Sequence, residues 1–255
     1  MNYIQTAENA ARKAGRILLD NLGKIKRIEL KAKNSLLTEV DVMCEEAIVE
    51  VVNMHFPEHD LIAEEGSEIL NNSEFKWIID PLDGTMNYAH GYPFFSVSIA
   101  VEQFGSVIAG VVYDPVMDEM FSAEKSTGAK LNGESIYVSQ TVGLQESLLA
   151  TGFLHEDERL VERNLKHFSD FIFRARGVRR DGSAALDLAY VACGRYDGFW
   201  ELGLHPWDMA AGSFIVKEAG GSVTNVSGGE FTHYRGEVVA SNGEIHEQMI
   251  EILNP

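Results

Sequence analysis

The sequence predicts a layered α+β fold, with two sheets and helices between and outside them. Three observations carry this. Helical periodicity opens the chain, strand signals dominate from Trp77 to about Val138, and helix and strand patterns alternate beyond Ser147. The 255 residues read as a single domain, 1–255, with a soft internal boundary near 140–147. That boundary separates an N-terminal α+β half from a C-terminal α/β half.

The elements follow in order. Ile4, Ala7, Ala11, Ile17 and Leu18 fall near helical spacing, and Gly23 stops that helix. A second helix is predicted from Thr38 to Phe56, with Met43, Ala47, Val51 and Met54 inward and Pro57 closing it. Leu61-Ile62-Ala63 is a short strand leading into Glu64-Glu65. Phe95–Val101 alternates, and Val107–Tyr113 is a buried-strand run ended by Asp114-Pro115. Met120–Ala123 and Ile136–Val138 flank a turn at Asn132-Gly133. Consecutive strands without long crossovers imply antiparallel pairing. Leu148-Leu149-Ala150 then reads as a strand, followed by a helix carrying Leu160, Val161, Leu165, Phe168 and Ile172. A helix from Ser183 to Cys193, a strand at Tyr196–Glu201 and a helix from Trp207 to Ala219 come next, the last capped by Gly220-Gly221. Val238–Ser241 is the last strand, and Ile245, Met249 and Ile252 mark a closing helix.

Composition excludes several classes. A hydrophobic content of 45% fits a packed globular protein. No apolar run reaches the roughly 18 residues of a membrane span. Met1–Gln5 lacks the basic and apolar regions of a signal peptide, so a cytoplasmic location is expected. Cys44 and Cys193 lie in apolar segments and read as buried free thiols. The net charge of −18 argues against direct nucleic-acid binding and against an anionic membrane as main partner. A small anionic substrate would be repelled by that field unless bound cations invert it locally.

The chemistry concentrates in Asp80-Pro81-Leu82-Asp83-Gly84-Thr85, entered from Trp77-Ile78-Ile79. Two carboxylates at a strand end suit a hard divalent cation such as Mg²⁺. Free amides at Gly84 and Thr85 suit a phosphate if a helix begins there. Taken alone, the stretch is also an ordinary Asp-Gly turn, and it fails the EF-hand template. Other carboxylates strengthen the case. Glu64 ends a strand as Asp80 does, and the two converge if their strands share a sheet. Asp208 falls in the first turn of a helix just after Pro206, where the helix dipole alone would also favour it. Thr38-Glu39-Val40-Asp41 reads as a capping-box-like helix start with Asp41 in the Glu position. Carboxylates gathered in one cleft stay ionised together only with cations between them.

The stretch Trp77–Tyr88 closely resembles the first signature of the inositol monophosphatase family, and Trp207–Gly212 continuing to Glu218–Gly221 resembles its second. Glu64-Glu65, Thr38 with Asp41, Gly182-Ser183-Ala184-Ala185 and Glu201-Leu202-Gly203 match further motifs in order. The resemblance covers essentially the whole chain. It implies a layered αβαβα sandwich of the inositol monophosphatase and fructose-1,6-bisphosphatase type, homodimers and inhibition by Li⁺. It implies a first metal on Glu64, Asp80 and the Leu82 carbonyl, and a second on Asp80, Asp83 and Asp208. A third, weaker Mg²⁺ would be held by Glu64 through water, giving two to three ions per site. Thr85, and Thr38 with Asp41, would orient and activate the nucleophilic water; Gly84 and Thr85 amides would hold the phosphate. Asp83, Ala184 and Glu201, with Gly182 and Ser183 in the same motif, would form the substrate side.

The loop Lys31–Leu36 is one residue shorter than in many animal members of the family, and Ser35 stands where an acidic residue often occurs. Arg179–Ser183 and His205–Asp208 look more like bacterial members. His55, His59 and His167 read as surface residues, while His90 follows the motif closely enough to reach a cleft. The favoured expectation is Mg²⁺-dependent hydrolysis of a small phosphorylated polyol, myo-inositol 1-phosphate first. Fructose-1,6-bisphosphatase or histidinol-phosphatase activity is the alternative within the superfamily, and protein binding in transcription or ribosome assembly is the alternative outside it.

Overall fold

The computed structural model describes residues 2–24, 28–32, 35–153 and 157–254, with the backbone alone for 28–32 and 35–38. Helix α1 (Tyr3–Asn21) begins where the Asn2 side chain accepts a hydrogen bond from the Gln5 amide at 3.0 Å. Its inner face is small, Ala7, Ala10, Ala11 and Ala14 with Leu18, so α1 lies close on its neighbours. A backbone hairpin follows, β1 (Ile28–Ala32) with β2 (Ser35–Thr38). The segment Lys31–Leu36, expected to be a loop, thus contributes to two strands; Lys33 and Asn34 lie outside the described residues. Helix α2 (Glu39–His55) buries Val40, Cys44, Ile48 and Val52, an i, i+4 row. That row sets the inward stripe. Met43 and Met54, expected inward, fall off it and are 44% and 71% exposed.

The larger sheet contains β3 (Asp60–Ala63), β4 (Glu68–Ile69), β5 (Phe75–Asp83), β6 (Ser96–Gln103), β7 (Ser106–Asp114), β8 (Glu119–Glu124), β9 (Ala129–Leu131) and β10 (Glu134–Ile136). Their spatial order is β10-β9-β8-β7-β6-β5-β3-β4. From β5 to β10 the pairing is antiparallel as expected, but β3 and β5 pair parallel, which sequence adjacency did not foretell. The strand expected at Ile136–Val138 is corrected too: β10 ends at Ile136, leaving Tyr137 and Val138 outside it, and Tyr137 is 73% exposed.

Period-2 alternation divides this sheet between two cores. Trp77, Ile79, Val97, Ile99, Val101 and Val111 pack against α1 and α2. Ile78, Ala100 and Val112 point the other way, into a core made by α5 (Ala184–Ala192) and α6 (Pro206–Glu218). Both faces being covered explains why these strands read as apolar runs.

The second sheet has five strands: β11 (Leu148–Thr151), β12 (Gly177–Arg179), β13 (Gly198–Leu202), β14 (Ser222–Thr224) and β15 (Glu237–Ser241), in the order β12-β11-β13-β15-β14. Phe199, Val238 and Ala240 face α5 and α6. Trp200, Leu202 and Val239 face α4 (Glu158–Ile172) and α7 (His246–Leu253) on the outside. The layers are therefore helix, sheet, helix, sheet, helix, and the middle helical layer serves both sheets. Two histidines expected on the surface are corrected: His167 is buried in α4, and His59 is half-buried, stacked between Phe56 and Phe75 while its Nδ1 accepts from Trp77 Nε1. Cys44 is buried and Cys193 half-buried, both free thiols.

Candidate active site

Strand register brings the first two carboxylates together. Leu61, Ile62 and Ala63 of β3 lie opposite Trp77, Ile78 and Ile79 of β5 in parallel pairing. The next residues are Glu64 and Asp80, and the Glu64 amide donates to the Ile79 carbonyl at 3.1 Å. Ile62 and Ile78 both pack on the α5–α6 side, so the same alternation sends Glu64 and Asp80 toward that layer.

Asp83 joins them through a bulge. In a regular strand, residues three apart point to opposite faces. On β5, however, Asp80 lies opposite Ser98 and Asp83 opposite Ser96, three steps against two. The extra residue falls at Pro81-Leu82, where proline has no amide to donate to the ladder. The bulge restores the phase, and Asp83 faces α5: its Oδ2 accepts from Ser183 Oγ at 2.5 Å and from the Ala185 amide at 2.8 Å. Ser183 is the N-cap of α5 and is itself buried.

The fourth carboxylate comes from α6. Helix α6 packs tightly on the sheet because β7 has a glycine beneath it: a Cβ on Gly110 would stand 3.1 Å from the Ala211 backbone. Pro206 starts the helix, and Asp208 Oδ2 accepts from the His205 amide at 2.6 Å. The Ser98 hydroxyl, on the strand facing this turn, donates to the Trp207 carbonyl at 2.9 Å.

Burial raises the Asp80 pKa well above the usual carboxylate range, and the nearby Glu64, Asp83 and Asp208 raise it further. A hydrogen bond between the Asp80 and Glu64 carboxyl groups adds to this, and it requires a proton between them. Asp208 is raised by burial and by Asp83 and Glu64. Burial also raises Asp83, to about 6, against the lowering effect of its bonds from Ser183 and Ala185. Among the described residues, Asp80, Asp83 and Asp208 have no Lys or Arg partner within ion-pair distance. Among the described residues, no three His, Cys, Asp or Glu side chains stand together in a group that could hold a metal ion as they are placed. Protein donors take up one oxygen each of Asp80, Asp83 and Asp208, the Leu82 amide serving Asp80 at 3.0 Å. An all-oxygen, mutually repelling set of this kind fits a hard divalent cation, whose charge would remove the repulsion.

The chain then turns at Gly84, whose φ of +93° favours glycine and whose Cβ position is crowded by the Phe94 and Gly182 carbonyls at 3.1 and 3.2 Å. Helix α3 (Thr85–Ala89) starts there. Thr85 Oγ1 lies 3.0 Å from the Leu82 carbonyl oxygen and 3.2 Å from Asp41 Oδ1, bringing the fully buried Asp41 of α2 to the motif. The Thr38 side chain lies outside the described residues; its backbone ends β2. His90 caps α3 and is exposed.

Asp83 and Asp208 also line a cleft of about 130 Å³ whose opposite wall includes Ser183, Ala184 and Glu201. Gly182 lies in the same wall, and the Asp181 carbonyl just before it accepts from Asn87 Nδ2 at 2.7 Å. Ser183 spends its hydroxyl on Asp83, so its contribution is to hold that carboxylate. Glu201 is buried, which pushes its pKa up to about 8, with Arg180 opposing and Asp83 adding to the shift. The carboxylate fits because Gly152 stands opposite: a Cβ there would collide with it.

A profile of the inositol monophosphatase family matches residues 2–255. The chain belongs to the inositol monophosphatase family. It is 41% identical over 253 residues to the inositol-1-monophosphatase of Synechocystis sp., covering 98% of this chain and 88% of that protein. It is 40% identical to the Nus factor SuhB of Pseudomonas aeruginosa, covering 99% of this chain and 96% of that one. Among solved structures, the extragenic suppressor protein suhB of Bartonella henselae superposes with a TM-score of 0.95 at 39% identity, over 98% of this chain and 97% of that one. An IMPase of Thermotoga maritima gives 0.92 at 38% identity, over 100% and 97%. Such relatives indicate a phosphatase.

Three residues of the site carried no expectation. Asp187 of α5 is buried, lines the cleft, and its Oδ1 has no hydrogen-bond partner. Burial and its acidic neighbours raise its pKa well above the usual range. The signal was a lone acid within Ala184–Ala192, an otherwise apolar helix. Arg180 lines the same cleft and lowers both Asp187 and Glu201. Gly152 could not have been found, since its role is to leave space for a residue 49 positions away (201 − 152).

Proposed function

We propose that the chain is a Mg²⁺-dependent phosphatase that hydrolyses a small polyol monophosphate, with myo-inositol 1-phosphate the first candidate. The observation that carries this reading is the bulge at Pro81-Leu82, which turns Asp80 and Asp83 to one face alongside Glu64 and Asp208. Glu64, Asp80, the Leu82 carbonyl, Asp83 and Asp208 would hold two Mg²⁺, with a third associated with Glu64. Bound Mg²⁺ supplies electrostatic stabilisation of phosphate oxygens and makes a water more acidic.

The chain's own groups do the rest. Thr85 Oγ1 has one proton and two acceptors in reach, so an oxygen lone pair remains to accept from a water and orient it. Asp41, fixed in the first turn of α2, holds that hydroxyl, and Thr38 would share its role of activating the water. The Gly84 and Thr85 amides at the start of α3 would receive phosphate oxygens. Glu201, whose pKa burial pushes up to about 8, would donate to or accept from a substrate hydroxyl, with Asp83 and the Ala184 backbone completing the contact. The reading also carries homodimers, Li⁺ inhibition and a cytoplasmic location. Among the described residues no helix is long and apolar enough to cross a membrane.

Phosphate release across a panel of polyol and sugar phosphates, with and without Mg²⁺, tests the proposal. Turnover of inositol 1-phosphate that stops in EDTA supports it. Faster turnover of fructose 1,6-bisphosphate or histidinol phosphate would replace the substrate, and turnover unaffected by EDTA would remove the metal. The relatives named Nus factor favour one further role, protein binding. A catalytically silent variant that still supports such binding would separate it from catalysis.

A further inference from the structure

A second cavity, of about 600 Å³, lies at the far end of α6 from Asp208. Lys217 lies nine positions after Asp208, so the helix alone spaces them by about 13 Å. Its walls are the turn between β6 and β7 at Gly105–Val107, the last turns of α6 and the segment 230–235. Three cations line it: Lys125, Lys217 and Arg235. Among the described residues, none of the three forms an ion pair. Two acids share the walls, Glu218 and Glu230. Glu218 is already engaged, accepting from the Ser126 and Gly128 amides at 3.1 Å each.

Ordinary surface chemistry accounts for only part of this. Lys217 sits in the last turn of α6, where a cation complements the helix dipole. That argument does not reach Arg235, on another segment, and Lys125 belongs to the loop whose Ser126 and Gly128 amides bind Glu218 rather than to the helix. Three cations without an ion pair among the described residues, with Glu230 acting on Lys217 only at longer range, are unexpected in one concavity of a chain with a net charge of −18. The wall that carries Arg235 is also fixed in place. Buried Glu102 accepts from Tyr234 Oη at 2.9 Å and pairs with His233 Nε2 at 2.9 Å, with Lys76 3.8 Å away. Lys217 Nζ is 5.1 Å from the centre of the Phe231 ring. Phe214, Phe231 and Val107 give the cavity an apolar side.

We propose that this cavity binds a small organic phosphate, its phosphoryl group held by Lys125, Lys217 and Arg235 and its carbon skeleton against Val107, Phe214 and Phe231. A guanidinium fork with two ammonium groups matches a dianionic phosphate, and the volume is that of a metabolite pocket. The site needs no metal. This separates it from the carboxylate cleft, which repels phosphate when no cation is present.

Isothermal titration with pyrophosphate in excess EDTA tests it, since the carboxylate cleft is then silent. One saturable site per chain is expected. Combined Lys125→Met, Lys217→Met and Arg235→Met should weaken it at least about a hundred-fold, since each charged contact contributes roughly ten-fold or more. Lys217→Arg, which keeps the charge, should bind within about three-fold of the parent, and Asp208→Asn should leave binding intact. Melting curves verify that each variant is folded. No heat of binding in EDTA would overturn the proposal, as would binding that survives the triple variant or disappears in Asp208→Asn. Citrate binding as tightly as pyrophosphate would overturn the assignment to phosphate.

Discussion

The two walls of the carboxylate cleft handle buried charge in opposite ways. On one, Glu64, Asp80, Asp83 and Asp208 repel one another, and Asp80, Asp83 and Asp208 have no basic side chain paired with them among the described residues. On the other, Glu201 and Asp187 are buried too, but Arg180 stands beside both. The first wall can settle its charge only by taking up protons or cations from solution. The second has one cation beside its two acids, although burial still lifts the pKa of both. On the reading proposed above, chemistry belongs to the unbalanced wall of Asp80, Asp83 and Asp208, and recognition to the wall that holds Arg180.

Asp80→Asn is the most severe way to break this comparison. The substitution mimics the protonated acid that the metal-free fold already favours, so the metal-free melting temperature should not fall. Turnover should drop by at least about a thousand-fold, since a ligand of both proposed ions is lost. EDTA should do the same to the parent, and Ca²⁺ should inhibit, because its larger, looser coordination does not hold compact octahedral geometry. A variant that melts early yet still turns over would make Asp80 a structural turn residue.

Part of this arrangement was legible in the sequence and part was not. Apolar runs and glycine stops revealed α1, α4, α6 and the strands from β5 to β8, because burial on both faces leaves a strong signal. Glu64 and Asp80 were recognisable as strand ends, but their adjacency depends on β3 and β5 pairing in parallel across an intervening β4, which no local pattern records. The bulge that brings Asp83 to the same face was visible only as a proline. The short edge strands β12 and β14, three residues each, carry too few alternations to detect. His59 and His167 were misread for a related reason: a polar side chain can be buried where one neighbour satisfies it, as Trp77 does for His59.

Glu201 sharpens the comparison on the recognition wall. Charged hydrogen bonds contribute about 1.5–3 kcal/mol, so Glu201→Ala should cost roughly ten- to a hundred-fold in kcat/KM on a polyol phosphate. p-Nitrophenyl phosphate, which lacks neighbouring hydroxyls, should lose far less. Equal losses on both would remove Glu201 from the substrate side. Gly152→Ala, which pushes a methyl group into the Glu201 carboxylate, should reproduce the same selective loss.

The same residue gives a pH test of stability in the metal-free protein. Burial lifts Glu201 from its ordinary 4.5 to about 8, so the fold favours its neutral form. That contribution is fully present below pH 4.5 and is lost as pH rises through about 8. The parent should therefore melt lower at pH 9 than at pH 6, and Glu201→Gln should shrink that difference by roughly 5 °C. A difference unchanged in the variant would show that Arg180 already keeps Glu201 ionised.

The smallest effect is expected at Ser183, which joins the two walls. Its hydroxyl donates to Asp83 on the unbalanced side, lies 3.3 Å from the Ser96 hydroxyl, and caps α5 by accepting from the Leu186 amide at 3.4 Å. Ser183→Ala removes all of these while leaving the Ala185 amide on Asp83. Loss of an N-cap and one hydrogen bond should cost about 1–2 kcal/mol, read as a lower melting temperature. Because Ser183 acts through Asp83 rather than on substrate, turnover of the polyol phosphate and of p-nitrophenyl phosphate should fall together, by a few-fold. Ser183→Thr, which keeps the hydroxyl, should restore both. A loss confined to the polyol phosphate would move Ser183 across the cleft, to the recognition wall with Glu201.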